Sequence, residues 1–328
     1  MKPLVFEQKY QNEWHELDGL LAALSASRSW RRRRPVTAAG ARLATLYRRA
    51  CEQLATARAR AYPAYMISRL EQLTQDAHQA IYRTDDFGLR RFATLMFADF
   101  PRAVRAHARS VWLAAACLYL PAIIMGLLVF RNPEWILSVV NVEQVAEFEA
   151  MYSTAADSIG RTRDADTDWM MFGYYVWHNT SLAFQCYAGG IFVGLLSVFA
   201  LAYNGIFIGA IAGYLSQRGL GSTFWSFVAT HSAFELTAIV LAGGAGMRLG
   251  YSLLAPGRRS RLQSLVHAAR ASVDVIYGVA FMLLIAAAIE AFWSSAPWLP
   301  HAVKYSVAAG CWVAVLTWLW RGGREHAS

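Results

Sequence analysis

Long apolar runs separated by polar segments fill the last two thirds of the chain. The hydrocarbon core of a bilayer is about 30 Å thick and requires about 20 mostly apolar residues in a helix. Runs of that length occupy 111–130, 174–201, 224–247, 273–293 and 302–320. The pattern therefore predicts an all-α polytopic membrane helix bundle over residues 111–320.

A sixth apolar segment, 203–217, is shorter, and Asn204-Gly205 separates it from the run before it. Hydropathy alone leaves open whether this segment crosses the membrane or forms a re-entrant hairpin. Basic residues cluster in the loop 255–272 and after residue 320. If 203–217 crosses, both clusters lie on the cytoplasmic side, as the positive-inside rule requires. We therefore expect about six spans, with both termini and the tail 321–328 in the cytoplasm.

The first 110 residues are polar and carry a net charge of +9. Apolar residues recur there at helical spacing, as at Leu43, Leu46 and Ala50, and predict a cytoplasmic helical region. The run Arg31–Arg34 before Pro35 separates two of its helices. The segment from Phe87 to Arg109 has an apolar side and several arginines, which predicts an amphipathic helix on the membrane surface. We interpret these arginines as lipid-binding rather than nucleic-acid-binding.

Composition narrows the functional class. Apolar residues make up 56% of the chain and charged residues 16%, against roughly 25% charged in a soluble domain. A soluble globular enzyme is therefore excluded. The segment 131–172 carries a net charge of −5 and is predicted to be an outward-facing acidic loop. The four cysteines lack the spacing of a disulfide framework or a zinc site, and no cofactor motif is present.

Ionisable groups within a membrane span are costly and are functional candidates. His231 and Glu235 lie four residues apart in the run 224–247 and therefore share one helix face. Together with Glu290 and Asn204 they form the candidate intramembrane polar site. Two interpretations stay open, a proton or cation site and a polar clamp between helices. The sequence of His231–Glu235 lacks the second histidine of a zinc protease, so we predict neither a metal site nor an enzyme.

Glycines at four-residue spacing predict close helix packing, because small residues let helix backbones approach. The alternative is a substrate path at a helix break at Asn204-Gly205, as in transporters with discontinuous helices. The glycines concerned are Gly190, Gly194, Gly205, Gly209, Gly213, Gly246 and Gly250.

An ordered set of motifs resembles the stage II sporulation protein M family over residues 85–295. It comprises Asn179-Thr180, Gly189-Gly190, Asn204-Gly205, His231 to Leu236, Arg248-Leu249-Gly250 and Ala287 to Phe292. The chain departs from the family pattern at Ser232, where glycine is usual. The resemblance implies a multi-pass protein of the bacterial inner membrane. It also implies protein partners: peptidoglycan hydrolases in spore formers, or an RDD-type membrane protein and a MoxR-type ATPase in other bacteria.

Two functional hypotheses follow. The first is a non-enzymatic scaffold or anchor for a cell-envelope or membrane-stress complex, in contact with membrane lipid and with protein partners; self-association into a homo-oligomer stays open. The second is a transporter or channel that uses His231 and Glu235 as a midplane polar site.

Overall fold

The computed structural model describes residues 2–26, 39–82, 88–153, 168–296 and 298–324. The chain divides into two compact units, Met1–Gly88 and Leu89–Ser328. This boundary lies earlier than the one at residue 110 that we predict from charge. The run Arg31–Arg34 and the middle of the acidic loop lie outside the described residues.

The described part of the first unit comprises three helices, α1 (Pro3–Ala26), α2 (Ala39–Ala59) and α3 (Ala64–Tyr82). Their apolar stripes meet in a core that contains Leu17, Leu46 and Leu70, each at most 1% exposed. Ion pairs between helices lie on the surface, for example Arg42–Glu16 and Arg69–Asp18. Such exposed pairs contribute little stability, so the apolar core holds this unit together.

The second unit is a helix bundle, and no strand occurs among its described residues. Five of its described helical segments are long and apolar enough to cross a membrane: Ala108–Arg131, Leu195–Gln217, Gly221–Leu254, Arg261–Ser294 and His301–Arg321. The unit's helices are α4 (Leu89–Thr94), α5 (Phe100–Ala106), α6 (Ala108–Arg131), α7 (Val142–Tyr152), α8 (Asp168–Ala188), α9 (Leu195–Gln217), α10 (Gly221–Leu254), α11 (Arg261–Ala288) and α12 (His301–Arg321). The prediction of an all-α polytopic bundle is confirmed.

The run 174–201 is not one helix, which corrects the sequence prediction. The chain turns at Gly189–Ile191 and again at Gly194, whose φ of +83° suits glycine, and α9 then begins at Leu195. Asn204-Gly205 lies inside α9 and does not break it, and the Asn204 Nδ2 is satisfied within the helix, where it donates to the Ala200 carbonyl at 2.7 Å. The segment 203–217 is therefore the second half of a full-length helix.

Helices α6 and α9 run parallel with their backbones in close contact. A Cβ on Gly205, Gly209 or Gly213 would overlap the carbonyl oxygens of Leu118, Ala122 and Gly126, in that order. The glycines near the end of α8 and on α10 form a second such seam, where a Cβ on Gly190 would overlap Gly246 and one on Gly250 would overlap Gly194. The predicted packing glycines all lie at these two seams.

The segment before the first span is not the single surface helix that we predict. A π-helical turn at Leu95–Asp99 and a break at His107 divide it. Phe100 is fully buried in the bundle, where it fills the space beside Gly278. Leu89 and Phe97 stay exposed. The apolar side of this segment is thus shared between the bundle core and the surface.

The start of α6 and the end of α12 lie at the same end of the bundle. Arg105 donates to the carbonyls of Leu319 and Gly322 at 2.7 and 2.6 Å, so it caps the last turn of α12. A guanidinium also suits the negative end of a helix. We call this end the basic face and the opposite end, which carries α7, the α7 face.

Helix α8 extends through the same depth as the apolar helices. Trp169 at its start packs edge-to-face on Phe292 with ring centroids 5.1 Å apart, and Tyr187 near its end shares a 2.9 Å hydrogen bond with Ser272. Those two partners are about 30 Å apart along the helix axis. Since α8 connects the two faces, six helices run between them.

Candidate intramembrane polar site

Helix α10 is the most deeply enclosed helix and carries the two polar residues that the sequence singles out. His231 is 4% exposed, and its neighbours Thr230 and Ser232 are also buried. His231 Nε2 lies 3.7 Å from Glu235 Oε2, one helical turn away. This separation is longer than a hydrogen bond, so the two groups face each other without direct bonding.

Glu290 joins this pair from the neighbouring helix. It lies in the π-helical segment Ile289–Ser294 that follows α11. The ligand-type atoms of His231, Glu235 and Glu290 all lie within 4.8 Å of one another. A π turn inserts one residue per turn and is frequent at functional sites. Here it places Glu290 and Ser294 on the side that faces α10.

Ser294 and Lys304 belong to the same cluster, although the sequence interpretation missed both. His231 Nδ1 and Ser294 Oγ are 3.1 Å apart. The Lys304 Nζ donates to the Ser294 carbonyl at 2.8 Å, and Lys304 is fully buried at the start of α12. Lys304 is an ionisable residue in an apolar run, and that signal was available in the sequence. Ser294 carried no comparable signal.

A cavity of about 350 Å³ contains this cluster and extends to the α7 face. Helix α7 forms part of its wall, and Tyr152 packs its ring against Phe224 and Phe227 at 5.2 and 5.8 Å between centroids. Glu149 holds α7 to the end of α9 through Tyr214 and Arg218. The polar members of the wall are Gln144, Glu147, Tyr174, Tyr175, His178, Asn179, His231, Ser232, Glu235 and Glu290.

Asn179 lies deeper than we expect from its position in the sequence. The sequence suggests an interfacial residue with its hydrogen bonds satisfied, but Asn179 is 1% exposed and lines the cavity. Its Nδ2 has no hydrogen-bond partner among the described residues. Asn204, by contrast, is not among the residues that line this cavity, and its amide bonds within α9. The structure thus brings together His231, Glu235 and Glu290, and leaves Asn204 out.

Chemically, the cluster offers one imidazole and two carboxylates in a partly enclosed space. Such a set can hold a proton or a cation, or link helices α10 and α11. Ser294 adds a hydroxyl 3.1 Å from His231 Nδ1.

Comparison with known proteins gives two family matches. The model of the family described as stage II sporulation protein M matches residues 115–295, and that of a domain of unknown function (DUF8413) matches residues 5–83. No curated protein and no solved structure matches the chain. The first match spans more than half of the chain and includes every member of the polar site except Lys304. The chain belongs to the stage II sporulation protein M family.

Proposed function

We propose that this membrane protein of the stage II sporulation protein M family is a non-enzymatic scaffold that anchors a cell-envelope or membrane-stress complex in the bacterial inner membrane. In this proposal both termini are cytoplasmic and the α7 face is outward. The expected partners are the classes that the family resemblance implies, namely peptidoglycan hydrolases, or an RDD-type membrane protein and a MoxR-type ATPase.

One observation carries the proposal: the chain joins a membrane bundle to a separate polar helical unit with its own core. In this proposal the bundle fixes that unit to the membrane, and the polar surface of the unit contacts other proteins. A groove between α1 and α2 is lined by Lys9, Arg49 and Arg60 together with Glu13 and Glu52. A scaffold requires such an anchored binding surface, whereas catalysis does not.

Cross-linked affinity purification from native membranes tests the scaffold. We expect the full-length protein to recover a stoichiometric partner, and Arg60→Glu or Glu143→Lys to reduce that recovery at least about tenfold, according to the surface that the partner contacts. Arg60 and Glu143 are both exposed, so neither change disturbs a core. Arg259→Glu, also exposed, is the control. Recovery of the wild-type protein alone contradicts the proposal.

The cavity favours transport as the second candidate, because it leads from the α7 face to His231 and Glu235 inside the bundle. In that case Glu235→Gln abolishes flux in proteoliposomes and leaves both partner recovery and the melting temperature unchanged. If the pair is only a clamp, the same change lowers stability by roughly 1–3 kcal/mol, because it disturbs a buried polar contact, and no flux is found in either form.

A further inference from the structure

The polar cluster has a geometry that two helices without a ligand do not explain. His231 has one nitrogen near a hydroxyl and the other near a carboxylate. Ser294 Oγ lies 3.1 Å from Nδ1 and can accept a hydrogen bond from it, whereas 3.7 Å between Nε2 and Glu235 Oε2 is too long for a hydrogen bond. The tautomer that leaves Nε2 able to bind a ligand carries its proton on Nδ1, beside Ser294 Oγ. The Nε2 lone pair then points towards a carboxylate oxygen.

Two electron-rich atoms that face each other in a partly enclosed site repel unless a proton or a cation lies between them, and 3.7 Å is too long for a shared proton. Glu290 adds a second carboxylate, with its ligand atom within 4.8 Å of the other two. Burial of carboxylates in an apolar bundle is costly without compensation. A dication between the three groups removes this repulsion.

The distances suit a first-row transition metal. Zinc binds histidine nitrogen at about 2.0–2.1 Å and carboxylate oxygen at about 2.0–2.2 Å, so neighbouring ligands of a tetrahedral ion are roughly 3.4 Å apart. The 3.7 Å between Nε2 and Oε2 is close to this value. Glu290, on the π-helical segment, offers the third ligand atom within 4.8 Å of the other two. Calcium would need six to eight oxygen ligands, and the cluster does not offer them.

Asn179 provides an independent observation. It lines the same cavity, is 1% exposed, and has an amide Nδ2 without a hydrogen-bond partner among the described residues. An unpaired buried donor requires an explanation. A metal ion with three protein ligands keeps a fourth position for water, and the oxygen of that water is an acceptor for Nδ2.

We propose that His231, Glu235 and Glu290 bind a divalent transition-metal ion of the zinc class, with a water molecule in the fourth position beside Asn179. Ser294 acts as a positioning residue, because its hydroxyl orients the His231 ring so that Nε2 faces the ion. Partner hydrogen bonds of this kind fix the ligand orientation in metal sites. The site is independent of the scaffold proposal, since either function can use a bound ion.

Metal titration of the full-length protein in detergent tests this site. After treatment with a chelator and dialysis, we expect one Zn²⁺ per chain by elemental analysis and by calorimetry. Cobalt(II) in place of zinc should give the visible absorption of a tetrahedral site. Magnesium and calcium should not compete at a hundredfold excess. Absence of stoichiometric Zn²⁺, or equal binding of Mg²⁺, overturns the proposal.

Variants identify the ligands. Glu235→Gln and Glu290→Gln should each weaken Zn²⁺ binding at least about 100-fold, and Ser294→Ala about 10-fold. Asp274→Asn is the control. It removes a carboxylate from α11, the helix that precedes Glu290, and should leave Zn²⁺ binding unchanged. The melting temperature without metal shows that each variant is folded. If a glutamine variant does not fold, the cobalt(II) spectra of the wild type and of Ser294→Ala still test the site. The absence of a tetrahedral spectrum in the wild type contradicts the proposal. Equal affinity in Glu235→Gln, Glu290→Gln and Asp274→Asn overturns the assignment.

Discussion

His107 makes a polar contact with Arg248 at the junction between α5 and α6, where its Nε2 accepts from the guanidinium. Burial and the adjacent positive charge of Arg248 lower the pKa of His107 below its ordinary value. The neutral form of the imidazole is therefore the one that the folded protein stabilises. Protonation would remove the acceptor and place two positive charges together.

This contact predicts a loss of stability in acid. Because the pKa of His107 is lower in the folded chain than the ordinary value of about 6.5, the folded state binds fewer protons. Stability is fully present above that ordinary value and falls as the pH drops through the folded pKa. We expect the melting temperature in detergent to decrease between about pH 7 and pH 5, and His107→Gln, which keeps an acceptor, to flatten the decrease. His267→Gln, at an exposed position, is the control and should not change the slope.

The polar site shows how far single residues can be predicted from sequence. The spacing of His231 and Glu235 predicts their common helix face correctly, because that depends only on helix geometry. The positions of Glu290 and Ser294 depend on a π turn, which hydropathy does not reveal. Asn179 and Asn204 have similar surroundings in sequence, yet one lines the cavity and the other bonds to its own helix. Tertiary packing makes that distinction.

At the scale of elements, the seam between α6 and α9 depends on the absence of side chains. Gly209 lies against the Ala122 backbone, so its hydrogen atoms are the only substituents that fit. In a membrane no hydrophobic force drives two helices together, and close backbone packing replaces it. The seam is rigid, since backbone atoms on both sides cannot rotate away.

Gly209→Ala should therefore destabilise the bundle, although alanine is the better helix former. Overlap with a neighbouring backbone costs about 1–3 kcal/mol. Gly310→Ala is the matched control, because it lies inside α12 and a Cβ there meets nothing within 4 Å. We expect the first change to lower the melting temperature in detergent and the second to leave it unchanged or raise it. Equal effects of the two changes would show that the seam does not limit stability.

The break between α8 and α9 could not be predicted from the hydropathy pattern. Residues 174–201 are mostly apolar and contain no Asp, Glu, Lys or Arg, so hydropathy predicts one helix. The turn is encoded by Gly189, Gly190 and Gly194, but glycine is also frequent inside membrane helices. The sequence does not show whether such glycines form a turn or pack against another helix. The structure does, through the contacts of Gly190 and Gly194 with α10.

For the molecule as a whole, the contacts of Arg105 with Leu319 and Gly322 show that the start of α6 and the end of α12 lie side by side. The start of α6 and the end of α12 share one face, so an even number of helices runs between the faces. Five apolar helices and α8 satisfy this condition. The same arrangement puts the basic loop 255–272 on the basic face, as the charge distribution predicts.

Cysteine labelling tests this arrangement in intact cells. In a variant without Cys51, Cys117, Cys186 and Cys311, single cysteines are introduced at Val142, Trp298 and Arg258, all of them exposed. With six crossings, Val142→Cys and Trp298→Cys lie on the α7 face and Arg258→Cys on the basic face. An impermeant maleimide should label the first two in intact cells, and the third only after permeabilisation.

The pair Val142 and Trp298 separates the alternatives, because α8 lies between them in sequence. If α8 did not cross, only one of the two would be labelled in intact cells. Labelling of all three before permeabilisation would instead indicate broken membranes, so a cytosolic protein with an exposed cysteine serves as the control for integrity. Labelling of Arg258→Cys alone would invert the proposed orientation and keep the six crossings. Each outcome therefore reports separately on the number of spans and on the side that α7 faces.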